Sequence, residues 1–235
     1  MAADGRFKPR EIISYTDMCS AVGTTLQRGM NFHLCGNESV ILMSQRSNAP
    51  YEDQIEDEGR TLIYEGHDCA RVPGGPDPKR TDQPERYPGG SLTQNGLFSA
   101  AVRNHKNGGS PERVHVYQKL HPGIWVYNGV FELVDFWIQP SGPRMVFKFK
   151  LHLSHLDSRP NTPEFCDEDD DRIIPSKVKF EVWKRDQGRC RKCGVNQGLH
   201  FDHIIPYSKG GSSKDAANIQ ILCGRHNLEK RDNIE

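Results

Sequence analysis

Long apolar runs are absent from this 235-residue chain. Its longest, such as Val40 to Met43, have the length of a strand, well short of the ~20 apolar residues that cross a bilayer as a helix. No membrane span is therefore expected. A surplus of charge is absent too, since 31 Lys and Arg balance 31 Asp and Glu. The opening MAADGRFKPR lacks the basic-then-apolar pattern of a secretory signal. The seven cysteines do not read as a disulfide framework, because Cys190, Cys193 and Cys223 have the spacing of metal ligands. Cys19, Cys35, Cys69 and Cys166 are then left as unpaired thiols. From these absences neither a membrane protein nor a disulfide-stapled secreted domain is expected, and the expected setting is a reducing cytoplasm.

What is present is unevenly spread. Residues 172–235 hold thirteen Lys and Arg against seven Asp and Glu, whereas residues 164–171 (EFCDEDDD) hold six acids and no base. The C-terminal part thus has the positive bias that phosphate binding requires, and the acidic block hides it in the total. Within that part, Cys190-x2-Cys193 and Cys223-x2-His226 supply four soft or borderline ligands in two tight turns, the pattern of a closed tetrahedral Zn2+ site. A closed site leaves no position for a reacting water, so the chemistry falls to the Asp202-His203 pair that the zinc ligands bracket. Leu199–Ile205 and Ile219–Leu222 read as strands of a hairpin, and a polar helical segment begins near Asn227. His200 shares a strand face with Asp202 and reads as a packing or phosphate-touching residue.

From Pro175 to about Asp232, including KVKFEVWKRDQGRCRKCG, DHIIPYSKGG, the downstream Asn and the CxxHN end, this stretch resembles the HNH nuclease family, the ββα-metal fold. The resemblance implies a DNA endonuclease in which Asp202 ligates a catalytic Mg2+ or Mn2+ and His203 is the general base. Asn218 would hold the His203 ring, and Asn227 would be the second protein ligand of the catalytic ion. His226 is assigned to zinc and Asn227 to the catalytic ion, with an exchange of those two roles left open.

Upstream, Glu11–Leu26 reads as an amphipathic helix. NFHLCGNESVILMSQ has a β-type core, and RVPGGPDPKRTDQPERYPGG is a long Pro/Gly-rich loop of the functional kind. LTQNGLFSAAV reads as a helix, and VHVYQKL, IWVYNGVFELVDFWIQ and RMVFKFKLHL read as three strands. Many strands and few helices give an α+β fold with a curved sheet or barrel. In order, PYEDQIEDEGRTLIYEG, DQPERYPGGSLTQNGL, VHVYQKL and YNGVFELVDFW are similar to the SRA (YDG) domain, which reads modified cytosine in DNA. SRA-HNH fusions form a class of bacterial restriction enzymes.

That resemblance implies a flipped cytosine held between Tyr51 and Tyr64, with an acid on its exocyclic amine. The physical need is clear, since an extruded base loses its stacking and two ring faces restore it. Gln54 stands where the family has its carboxylate, so Asp53 beside it is assigned the acceptor role, with Gln54 as the alternative. Asn128 replaces the family's Asp in the YDG triplet. The expected organisation is an SRA-like domain over residues 1–158, an acidic linker over 159–172 and an HNH domain over 173–235. The expected partner is double-stranded DNA bearing 5-methylcytosine or 5-hydroxymethylcytosine. A homodimer is expected because one HNH site cuts one strand per encounter.

Overall fold

The computed structural model describes residues 7–35, 38–45, 49, 51–154, 173–206, 209–230 and 234. In chain order the main elements are β1 (Glu11–Ser14), α1 (Tyr15–Val22), β2 (Met30–Cys35), β3 (Glu38–Met43), β4 (Gln54–Glu56) and β5 (Thr61–Glu65). There follow α2 (Gln94–Lys106), β6 (Glu112–His121), β7 (Ile124–Ser141), β8 (Arg144–Leu153), α3 (Ser176–Asp186), β9 (Leu199–His203), β10 (Ile219–Cys223) and α4 (Gly224–Lys230). The α+β class read from the sequence is the class that forms.

The Glu11–Leu26 helix is corrected by its own cap. Ser14 accepts a hydrogen bond from the Asp17 amide at 3.1 Å, so the helix starts at Tyr15. Ile12 and Ile13, β-branched and ahead of the cap, join the sheet against Val126 and Trp125. Gly23, at φ 79°, ends α1 in the left-handed conformation. The strands and the helix read from residues 92–153 appear as expected, with Thr93 capping α2 through the Gly96 amide at 3.2 Å.

The strands form one ten-stranded sheet in the order β10-β9-β1-β7-β6-β3-β2, from which β8, β5 and β4 branch at β7. The 18-residue β7 makes the branch possible. Its first residues pair with β1 and β6, and its later residues pair with β8, with a register shift between Leu133 and Asp135. A strand that changes neighbours along its length bends the sheet it belongs to.

One core lies between this curved sheet and α2, where Tyr64, Phe98, Phe131 and Phe149 are fully buried. Each such side chain contributes about 1.5–3 kcal/mol by leaving water. A second core joins Val178 and Val182 of α3, Phe201 of β9 and Ile221 of β10 to Leu120 of β6 and Val126 of β7. The seam is β1, which pairs with β7 on one edge and with β9 through Glu11↔His200 and Ile12↔Leu199 on the other. The expected linker over 159–172 lies outside the described residues. On either side of it, the N-terminal and C-terminal parts share a sheet and a core.

Candidate active site and base pocket

The four expected zinc ligands come together from three elements. Cys190 and Cys193 sit in the turn after α3, closed by the Gly194 amide on the Cys190 carbonyl at 2.8 Å. Cys223 ends β10, and His226 lies in the first turn of α4. Their ligand atoms all lie within 4.8 Å of one another. Cys190 Sγ and Cys223 Sγ are 3.3 and 3.4 Å from His226 Nδ1, and Cys193 Sγ is 3.8 Å from Cys223 Sγ. A tetrahedral Zn2+ with ordinary bond lengths sets S to S near ~3.8 Å and S to N near ~3.5 Å, so the four residues fit the ion. Burial pushes the Cys190 thiol up, but the backbone amides of Cys223 and Cys193, with His226, outweigh it and bring it down to about 6. His226 therefore sits with the zinc set, as assigned, and Asn227 is the next residue of α4.

Asp202 and His203 end β9. The Asp202 carboxylate receives Lys230 Nζ at 3.2 Å and Gln220 Nε2 at 3.2 Å. Burial raises its pKa, while Lys230, Gln220 and Arg10 oppose that rise. Lys230 and Asn227 are three apart on α4 and share a face, so Asn227 lies on the side of α4 that addresses Asp202. One carboxylate and one amide oxygen are hard donors of the kind that Mg2+ or Mn2+ takes. The ammonium of Lys230 marks Asp202 as a group that binds positive charge.

His203 is buried, with Nε2 2.8 Å from Ser213 Oγ and Nδ1 3.5 Å from a terminal nitrogen of Arg10. Burial, then Arg10 and Lys230, pull its pKa down to about 3. The ring is neutral near pH 7 and able to accept a proton. Asn218 requires a correction, because its amide does not hold this ring. It accepts from the Ile205 amide at 2.8 Å and donates to the carbonyls of Ile205 and Ser212 at 3.0 and 3.2 Å. Its two-faced amide instead staples the loop between β9 and β10, which carries Ser213. The physical reason is reach: two backbone groups two residues beyond His203 satisfy the Asn218 side chain first. A cleft of about 940 Å³ opens beside this loop, bounded by Glu56, Asp57, Ser176, Lys177, Ser213 and Lys214.

In the N-terminal part, Tyr51, Asp53 and Tyr64 line one cavity of about 560 Å³, together with Gly29, Lys119 and Trp125. The two tyrosines are not equivalent. Tyr64 is 1% exposed and packs in the main core, with its hydroxyl end against Gly29, where any Cβ would collide. Tyr51 is half-buried, stacks on His67 at 5.9 Å and carries the Lys79 ammonium 4.1 Å over its ring. Gln54 is exposed on β4 and does not line the cavity. Asp53 does line it, accepting from the Ser44 and Glu65 amides at 3.1 and 3.2 Å. Burial dominates there and pushes the carboxyl up to about 7 despite those amides and Lys148.

Sequence reasoning missed the groups that brace these sites. Glu65 and Lys148 are buried cross-strand partners at 2.9 Å, and Lys148 also donates to the Glu52 carbonyl at 3.0 Å, holding the segment that carries Asp53. Arg144 ties Glu65, Asp68 and the Pro78 carbonyl together. Asn128 accepts from the fully buried Lys179 of α3 at 2.8 Å, and Lys179 also donates to Gln118 at 2.7 Å. Gln118 bonds Ser176, Ser176 donates to Gln45 at 2.5 Å, and Gln45 donates to the Asp53 carbonyl at 2.9 Å. A polar chain therefore runs from the pocket to α3. The available signal was charge within inward-facing strand positions, as at Lys148 in RMVFKFKL.

Residues 189–233 match the family of HNH endonucleases. This C-terminal stretch is thus an HNH endonuclease domain, the class of metal-dependent DNA endonuclease that its zinc set and Asp202-His203 pair define. No curated protein matches the chain. Among solved structures, the chain is similar to the SRA domain of SUVH5 bound to fully hydroxymethylated CG DNA, at 20% identity and TM-score 0.45 over 70% of this chain and 98% of that one. It is similar to the same domain with methylated CHH DNA at 19% identity and TM-score 0.42, over 68% of this chain and 94% of that one. The modification-dependent TagI restriction endonuclease is similar at 18% identity and TM-score 0.41, over 97% of this chain and 78% of that one.

Proposed function

We propose that this protein is a modification-dependent restriction endonuclease. The N-terminal part takes a flipped 5-methylcytosine or 5-hydroxymethylcytosine from duplex DNA, and the HNH domain hydrolyses a nearby phosphodiester. The observation that carries the reading is a cavity lined by Tyr51, Asp53 and Tyr64 on the same sheet as an HNH centre. An aromatic ring and a buried acceptor are what an extruded cytosine needs, one to replace its stacking and one to meet its exocyclic amine. Asp53, not Gln54, is the acceptor in this reading, and Tyr51 is the ring with a face available to a base.

At the nuclease centre, neutral His203 takes the proton of the attacking water. Asp202 and Asn227 would hold a divalent ion, Mg2+ or Mn2+, which would supply positive charge at the scissile phosphate. Asn218 fixes the loop that presents Ser213 to the His203 ring. Lys177 and Lys214, on the cleft beside that loop, are placed to meet the DNA backbone. Zinc is structural, and the protein works in the cytoplasm as a homodimer so that both strands are cut.

The test is a matched set of duplexes, unmodified, methylated and hydroxymethylated, each incubated with Mg2+, Mn2+ or EDTA. Cleavage confined to modified duplexes and to the ion-containing reactions is expected. Equal cutting of the unmodified duplex would remove the reader role, and no cutting anywhere would remove the nuclease role. Sedimentation of the 26.7 kDa chain with methylated duplex tests the dimer, a monomer that still breaks both strands at low excess being the contrary result.

A further inference from the structure

We infer that Ser44 is a base-contacting residue of the pocket, its hydroxyl donating to ring nitrogen N3 of the flipped cytosine beside the amine that Asp53 accepts. The inference rests on the proposed reading of this cavity. Ser44 follows β3, where alternation sends Ile41 and Met43 into the main core and turns Leu42 and Ser44 toward the cavity of about 560 Å³. Its Oγ is buried and has no hydrogen-bond partner among the described residues. Both flanks of the residue are pinned, because the Leu42 amide donates to the Gly29 carbonyl at 2.7 Å and Gln45 Nε2 donates to the Asp53 carbonyl at 2.9 Å. The Ser44 amide itself donates to the Asp53 carboxylate at 3.1 Å, so hydroxyl and carboxylate share one wall of the cavity.

A buried hydroxyl without a partner costs free energy that a ligand can recover. On the Watson–Crick edge of cytosine the amine donates and the adjoining N3 accepts, and the wall offers the complement, an acceptor at Asp53 and a donor at Ser44. The other neighbour of the amine is the C5 substituent. Placing Ser44 there would set a methyl group against an unpaired hydroxyl whenever 5-methylcytosine is bound, and only a hydroxymethyl group would relieve it. Placed at N3, one hydroxyl serves both modified bases. A thymine in the same position would bring its carbonyl oxygen to the Asp53 carboxylate, two acceptors face to face, and the two-point match would be lost.

Fluorescence anisotropy with the full-length, zinc-loaded protein, without Mg2+ or Mn2+, at fixed salt and pH 8, measures binding to unmodified, methylated and hydroxymethylated duplexes. At that pH Asp53, which burial brings to about 7, is mostly the accepting carboxylate. Ser44→Ala is expected to bind both modified duplexes about five- to a hundredfold more weakly, the range set by leaving one buried ring nitrogen unpaired, and the unmodified duplex as wild type does. Since Oγ pairs with none of the described residues, the variant should melt at or slightly above the wild-type temperature. A duplex carrying 5-methyl-3-deazacytosine, in which C–H replaces N3, identifies the partner: wild type should lose about the same factor on it, and Ser44→Ala nothing further. Undiminished binding by Ser44→Ala, a loss confined to the hydroxymethylated duplex, or an equal penalty from the deaza base in both proteins would each overturn the assignment while leaving the reader role in place. Wild type that binds modified and unmodified duplexes alike would remove both.

Discussion

The candidate base pocket and the nuclease centre are built by opposite means. The nuclease centre is held locally, with four metal ligands, Asp202, His203 and Asn218 all falling between positions 190 and 226. Among the described residues, no metal-ligand cluster stands at the pocket. Its short segment around Asp53 is held by Glu65 of the neighbouring β5 and, from far along the chain, by Lys148 and Arg144 of β8. A site held by a metal can be small and borrow little core, whereas a site held by buried ion pairs needs a complete sheet around it, because a buried charge whose partner is removed costs several kcal/mol. The contrast is softened where the C-terminal part leans on the N-terminal strands: Leu120 and Val126 complete its core, β1 pairs with β9, and Arg10 reaches the His203 ring.

Removing the staple is the harshest way to break the contrast. Cys190→Ser should lose zinc, whose binding in small zinc modules is worth about 10–16 kcal/mol, and should unfold β9, β10 and α4. Metal analysis and circular dichroism would show it, and retained zinc with native structure would contradict the ligand assignment. Next in size, His203→Ala should lower cutting by about 10²- to 10⁴-fold while zinc content and binding to methylated duplex stay as in wild type. Full cutting by that variant would dismiss His203 as the base.

The pocket offers a pH effect with a definite sign. Asp53 titrates near 7 in the folded chain against 3.8 unfolded, so between those values the unfolded chain releases a proton that the folded chain keeps. Its stabilising contribution is present below pH 3.8 and lost as pH rises to 7, by at most about 4 kcal/mol at ~1.4 kcal/mol per unit. Asp53→Asn should remove that slope from urea unfolding measured between pH 4 and 8, and an unchanged slope would place the proton elsewhere. Smallest is Tyr51→Ala, expected to cost about 1–3 kcal/mol of binding to modified duplex and almost nothing toward unmodified DNA. Tyr64 is unsuited to that comparison, since truncating so deeply buried a side chain opens a core cavity costing about 3–5 kcal/mol of stability.

What can be read in the sequence divides along the same line. The zinc ligands and the Asp202-His203 pair are legible because tight turns need fixed spacings, and spacing survives in one dimension. Tyr51 and Asp53 are reached through an ordered series of short likenesses. The rest depends on pairings that no local pattern specifies: Lys148 with Glu65 across 83 positions, Lys179 with Gln118 across 61, Arg10 with His203 across 193. Asn218 stands out in the sequence, but its work is on the backbone of Ile205 and Ser212. A helix over 11–26 does not form because periodicity does not register a cap at Ser14 that hands the preceding residues to a strand.

The pairing of β1 with both β7 and β9 also makes the molecule a ruler. With one sheet running between them, the cavity proposed to receive the base and the histidine proposed to activate the water would keep one separation in every encounter. A cutter whose parts were joined by a slack tether would leave ragged ends scattered along the duplex. This protein should leave ends at a single offset from each modified cytosine, repeated from site to site whatever bases lie between.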